Sequence, residues 1–173
     1  MSYESMEVYF KSRNVSYAPA TYFMDRRRGK GEQESTAVPN VTATLQIRGM
    51  EEENFSYQFI SDLDGILYMQ LEIENKGEEE ISHIIVSHMI RDHFLYVPNT
   101  LEMNKGTGEF LFQLVRWRIE KLLPNEKARL VCQIKIVRPN IPDTMSLSAT
   151  YTFQFAGITY GPLQTTEARI IKR

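Results

Sequence analysis

The chain is poor in the residues that build covalent or catalytic frameworks. Among 173 residues there is one cysteine, Cys132, so no internal disulfide can form and no cysteine framework exists. No apolar run approaches the roughly 18 residues that a membrane-spanning helix needs. The opening MSYESMEVYF lacks the basic-then-apolar pattern of a secretory leader, so the expectation is synthesis in a cytoplasm without a signal peptide. The excess of either charge is small: 20 basic against 22 acidic residues give a net charge of −2, and nothing global favours nucleic acid or an anionic membrane. Phosphate-cradling glycine loops, Gly-x-Ser-x-Gly elbows and His-Glu-x-x-His pairs are all missing. These absences point away from an enzyme and imply no catalytic residue, no cofactor and no metal.

What is present favours strands. Nine tyrosines, nine phenylalanines and many Val, Ile and Thr residues suit a pleated, half-buried surface. From Val38 onward apolar and polar residues alternate with a period of two. Val41, Ala43, Leu45 and Ile47 form one such set, then Phe55, Tyr57 and Phe59, then Leu67, Met69, Leu71 and Ile73 against Tyr68, Gln70, Glu72 and Glu74. ISHIIVSHMI reads as a further strand. Val115, Trp117 and Ile119 follow it, then Ala128 to Ile136, then Leu147 to Phe155, and LQTTEARIIKR supplies a last one. Polar turns separate them: Asp62-Leu-Asp64-Gly65, Asn75 to Glu80 with Asn75 and Gly77 expected to supply the special backbone angles, a glycine-marked turn over Lys105 to Glu109, Leu123 to Lys127, and Gly157 to Gly161. Short strands at this spacing predict an all-β, immunoglobulin-like antiparallel β-sandwich over 38–173.

The first two dozen residues differ. Residues 1–24 are apolar and β-prone, and in SMEVYFK the residues Met6, Val8 and Phe10 alternate with Glu7, Tyr9 and Lys11. Residues 25–37, with Arg26, Arg27, Arg28 and Lys30 among glycines and acids, have too little apolar surface to pack and read as a flexible linker. The segment is therefore an extended N-terminal arm tethered to the body. Met6, Val8, Phe10, Val15, Tyr17 and Tyr22 are the side chains it would insert into the sheet edge of a neighbouring sandwich, or pack on its own. Insertion into a neighbour predicts a homo-oligomer or filament of identical subunits.

Several motifs invite other chemistry. His83, His88 and His93 are five apart, and residues five apart in a strand face opposite sides. They are expected at the surface or in loops and not as one metal face. Glu51 to Glu53 and Glu78 to Glu80 lack the Asp/Asn/Gly interleaving of a calcium loop and read as solvated turns. Asp62 and Asp64 are the better calcium candidates and still read as a turn. Cys132 falls on an apolar strand face, which predicts a buried, inert thiol. An alternative function is a binding module whose loops around 87–100 grip a protein or carbohydrate, which exposure of Phe94, Tyr96 and Trp117 would support.

The order Leu71-Glu-Ile-Glu-Asn75-Lys-Gly77, Ile84-Ile-Val86, Val115-Arg-Trp117-Arg-Ile119, Leu122-Leu-Pro124-Asn-Glu126, Ala128 to Ile136 and Ser148-Ala-Thr-Tyr-Thr-Phe153 resembles the bacterial surface-repeat domain of unknown function eleven. Asn125 stands where that family usually has glycine, and SHMIRDHFLYV stands where it usually has a D-x-L-P-x-G-L-like segment. The resemblance implies an immunoglobulin-like spacer, stalk or fibre element with no catalytic residues. Similar domains in spore-appendage proteins imply deployment on a spore or cell surface.

Overall fold

The computed structural model describes residues 37–61, 65–90, 92–137 and 142–173. The arm, most of the linker and the Asp62–Asp64 turn lie outside the described residues, and so do the inter-subunit candidates Met6, Val8, Phe10, Val15, Tyr17 and Tyr22.

Most period-two segments become strands whose apolar members turn inward; Phe55 and Tyr57 instead precede β2, and Tyr57 is exposed. In β1 (Val41–Gly49), Ala43, Leu45 and Ile47 are buried, and in β3 (Gly65–Asn75) Leu67, Met69, Leu71 and Ile73 are buried. The same holds for Ala128 to Ile136 in β9 (Lys127–Ile136) and for Val115, Trp117 and Ile119 in β8 (Leu114–Leu122). The remaining strands are β2 (Gln58–Ser61), β4 (Ile81–Met89), β5 (Phe94–Tyr96), β6 (Glu102–Met103), β7 (Thr107–Leu111), β10 (Thr144–Leu147), β11 (Thr150–Phe155), β12 (Ile158–Gln164) and β13 (Ala168–Lys172).

They form three sheets. One runs β1-β3-β9-β5 with β6 also on β9, one runs β12-β11-β4-β8-β7, and a short one runs β10-β13-β2. A single apolar cluster draws buried side chains from all three, so the sheets enclose one core. The result is an all-β, immunoglobulin-like sandwich of antiparallel sheets, with one exception: β2 pairs with β13 in parallel, Phe59 opposite Ile170. Parallel partners need a long connection, and alternation alone carries no sign of strand direction.

The segment Met145 to Phe155 shows how one sequence period serves two sheets. Met145, Leu147, Ala149, Tyr151, Phe153 and Phe155 are all buried, although β10 pairs with β13 while β11 pairs with β4 and β12. The backbone crosses between layers at Ser148-Ala149 without breaking inward parity, which is why the sequence reads as a single strand there.

Turn chemistry departs from expectation at two places. Asn75 and Gly77 do not adopt left-handed backbone angles; the left-handed residues are Asn125, Ala156, Gly157, Phe112 and Gln113 among others. Asn75 instead acts through its side chain. It is fully buried, its Nδ2 donates to the carbonyls of Glu79 (2.8 Å) and Leu122 (3.1 Å), and its Oδ1 accepts from Gly77 N–H (3.0 Å). The second departure is the hairpin expected across 157–161. It tightens to the two residues Ala156-Gly157, between the paired Phe155 and Ile158.

Candidate functional site

The two main sheets leave an open seam where the β7 edge of one layer approaches β5 and β6 of the other. The glycine-marked turn expected over Lys105 to Glu109 holds for Lys105 and Gly106, which lie in the bend before β7, while Thr107 to Glu109 are already strand. Gly106 has φ +82, and a Cβ there would lie 2.2 Å from Arg118 O, so only glycine fits. A Cβ on Gly108 would meet the flexible end of Met103 at 2.8 Å and Leu101 at 3.0 Å. The missing side chain lets β6 close against β7. Beside it the rings of Tyr96 and Phe110 stack, with centroids 4.1 Å apart at 27°.

The wall opposite β7 is held by hydrogen bonds to β9. Val97 N–H donates to Gln133 O (3.0 Å), and Thr100 Oγ1 donates to Val97 O (2.7 Å) while accepting from Gln133 N–H (3.0 Å). Asn104 Oδ1 accepts from Arg129 N–H at 2.7 Å. Below the seam, Trp117 is fully buried and its Nε1 donates to Lys105 O (2.8 Å). Lys105 pairs through its ammonium with the Glu126 carboxylate. That bond, together with the Leu123 N–H, holds the Glu126 carboxyl below its ordinary pKa. The outcome is a groove of about 660 Å³ floored by Tyr96, Leu101, Met103 and Phe110.

Strand β7 ends in a second feature. Phe112 and Gln113 form a two-residue turn with φ 50° and 66°, and Phe112 is 88% exposed. Leu111 and the neighbouring Met89 are also exposed, so the tip is apolar.

Other sequence candidates resolve as follows. His83 is exposed at a bulge in β4 with φ 48°, while His88 is buried and not at the surface, its Nδ1 2.8 Å from Ser148 O. The spacing Ile84, Val86, His88, Ile90 is the signal that places it inward; polarity masked it. Among the described residues no group of three His, Cys, Asp or Glu side chains could hold a metal ion. Glu51 to Glu53 and Glu78 to Glu80 lie on exposed turns. Cys132 is buried, and burial pushes its thiol up to about 12. The exposure that would support a binding module is absent at Trp117 and Phe94, which are buried, and Tyr96 is half-covered by Phe110. Among the described residues no lysine is buried, so no lysine amine meets the buried amide of Asn75. No helix among them is long and apolar enough to cross a membrane.

Fold and seam together define a class: an all-β, immunoglobulin-like sandwich whose edge strand β7 has no partner on its outer side among the described residues. The chain is similar to the crystal structure of BcpA, the major pilin subunit of Bacillus cereus, with a TM-score of 0.56 at 9% identity over 78% of this chain and 40% of that one. A substituted form of the same pilin gives 0.59 at 8% identity over the same shares. A putative membrane-anchored protein from Corynebacterium diphtheriae gives 0.53 at 4% identity, over 82% of this chain and 37% of that one. The chain thus spans about two fifths of the length of these relatives in fold. No family model and no curated protein matches the sequence, so the likeness to the surface-repeat domain holds at the level of an all-β fold shared with pilins.

Proposed function

We propose that the chain is a structural subunit that self-assembles into a fibre, appendage or surface layer on a bacterial cell or spore. Its N-terminal arm adds to the sandwich of a neighbouring copy. The observation that carries this reading is the unclosed sandwich: among the described residues nothing pairs with the outer side of β7. An unpaired edge presents a row of backbone donors and acceptors, a template for a strand from another chain. The alternation of Met6, Val8 and Phe10 supplies a strand of the right chemistry. The fold shared with a major pilin supports the same role.

Negative-stain electron microscopy of the purified full-length chain tests it. Filaments or sheets are expected from the full chain, and a folded, non-assembling body after deletion of residues 1–33. A monodisperse full-length monomer over a wide concentration range would refute the proposal.

A further inference from the structure

Resting on that reading, we infer which edge receives the arm: residues 5–11 of one copy add to β7 of the next, with Met6, Val8 and Phe10 laid into the groove over Tyr96, Leu101, Met103 and Phe110. Four observations select this edge.

First, the competing edges are poor acceptors. Strand β12 carries Pro162, which has no N–H, within its seven residues, and β2 and β10 are four residues each. The outer side of β1 is occupied in part, since Ile47 exchanges hydrogen bonds with Ser56 and Ala43 O accepts from Thr166 N–H. Second, β7 is presented for pairing. In an antiparallel hairpin successive residues turn their N–H and C=O alternately toward and away from the partner strand. Leu111 and Leu114 flank the two-residue turn, so Gly108 and Phe110 turn their backbone groups outward. A strand laid there gains main-chain hydrogen bonds at these residues.

Third, the side chains match. Gly108 and Phe110 lie opposite the buried Trp117 and Val115, so their side faces the core, whereas Thr107 and Glu109 lie opposite the solvent-facing Arg118 and Arg116. An added strand must place apolar residues at every second position toward the groove and polar ones outward. The alternation of Met6, Val8 and Phe10 with Glu7, Tyr9 and Lys11 does so.

Fourth, the geometry propagates. The arm joins the body at Ala37, beside β1, where Asn40 O accepts from Lys76 N–H. In the sheet order β1-β3-β9-β5, that is the edge opposite the seam. A copy whose β1 edge lies beside the next copy's seam donates on one side and accepts on the other. Such a contact is heterologous and repeats without closing unless rotation makes a ring. A flexible chain of the length that separates position 11 from Ala37 would have a mean reach of about 25–30 Å.

Cross-linking locates the acceptor. One chain carries Tyr9→Cys and a second carries Glu109→Cys or, as a control on the other edge, Thr159→Cys. Glu109 and Thr159 are both exposed, and the buried Cys132 does not compete. With a short thiol-to-thiol reagent, covalent dimers are expected for the pair at 9 and 109 and not for 9 and 159. Val8→Asp in the donor chain should abolish both the cross-link and the polymer, and the body should keep its Trp117 fluorescence. Polymers that cross-link only at 159, or not at 109, overturn the assignment of β7 and leave the assembly reading standing. A cross-link formed within one chain carrying both substitutions at high dilution, without polymer, overturns both.

Discussion

Replacing Phe112 by asparagine should stabilise the protein. Phe112 and Gln113 occupy the left-handed region at φ 50° and 66°, where an L-residue costs about 1–2 kcal/mol and asparagine is tolerated best. The twist of a two-residue hairpin demands these angles, which is why Asn-Gly is the preferred pair. Against this stands the burial lost with the ring. Phe112 is 88% exposed, so of the roughly 1.5–3 kcal/mol that full burial of a phenylalanine contributes, only about 0.2–0.4 kcal/mol is at stake. Phe112→Asn is therefore expected to stabilise by about 0.5–1 kcal/mol. Adding Gln113→Gly should bring the total to about 1 kcal/mol, the relief at 113 being partly offset by the freedom glycine gains in the unfolded chain. For a domain of this size that is about 2–4 °C in Tm. The hairpin at Ala156-Gly157 already places glycine at φ 76° and serves as an internal comparison. Urea unfolding followed by the fluorescence of Trp117 measures the change. A double variant that is unaltered or destabilised would show that the exposed ring contributes to the fold in a way this reasoning omits.

Three further outcomes are expected. Asn75→Ala removes two buried donations and one acceptance, and strands the Leu122 carbonyl; a loss of about 2–4 kcal/mol should appear as a lower urea midpoint with unchanged slope. Cys132 should resist a thiol-specific chromogenic reagent in the native state and react at once in denaturant, because its thiol is buried and pushed up to about 12. The Glu126 carboxyl is held low chiefly by Lys105, so its contribution is present above the ordinary carboxylate pKa and is lost as pH falls through the lowered one. Lys105→Met should therefore reduce stability at neutral pH and lessen the drop in urea midpoint on going to about pH 3.

Much of the fold was legible in the alternation because one face of each long strand is buried: β1, β3, β8, β9 and the run from Met145 to Phe155 keep the inward sets expected of them. What alternation could not show is partnership. The parallel pairing of β2 with β13 depends on residues far apart in the chain, and period two says nothing of direction. Glycine suggests a turn at 108, where it serves close packing inside β7, and polarity suggests the surface for His88, where parity with Ile84 and Val86 places it inside. The seam escaped notice for a related reason. Leu101, Met103 and Phe110 lie on segments too short to show a period, and only the meeting of β6 with β7 makes them one surface.

The position of β13 has a consequence for how the molecule is made. It lies between β10 and β2, which do not touch each other in that sheet, and β2 waits for a partner more than a hundred residues downstream. On the ribosome, β2 emerges more than a hundred residues before β13 and stays without its ladder until residue 172 is out. During that interval Phe59 and the exposed Ile60 are open to capture by another nascent chain. A pause in translation between β2 and β13 should therefore be more harmful to the yield of folded protein than one before β2 has emerged.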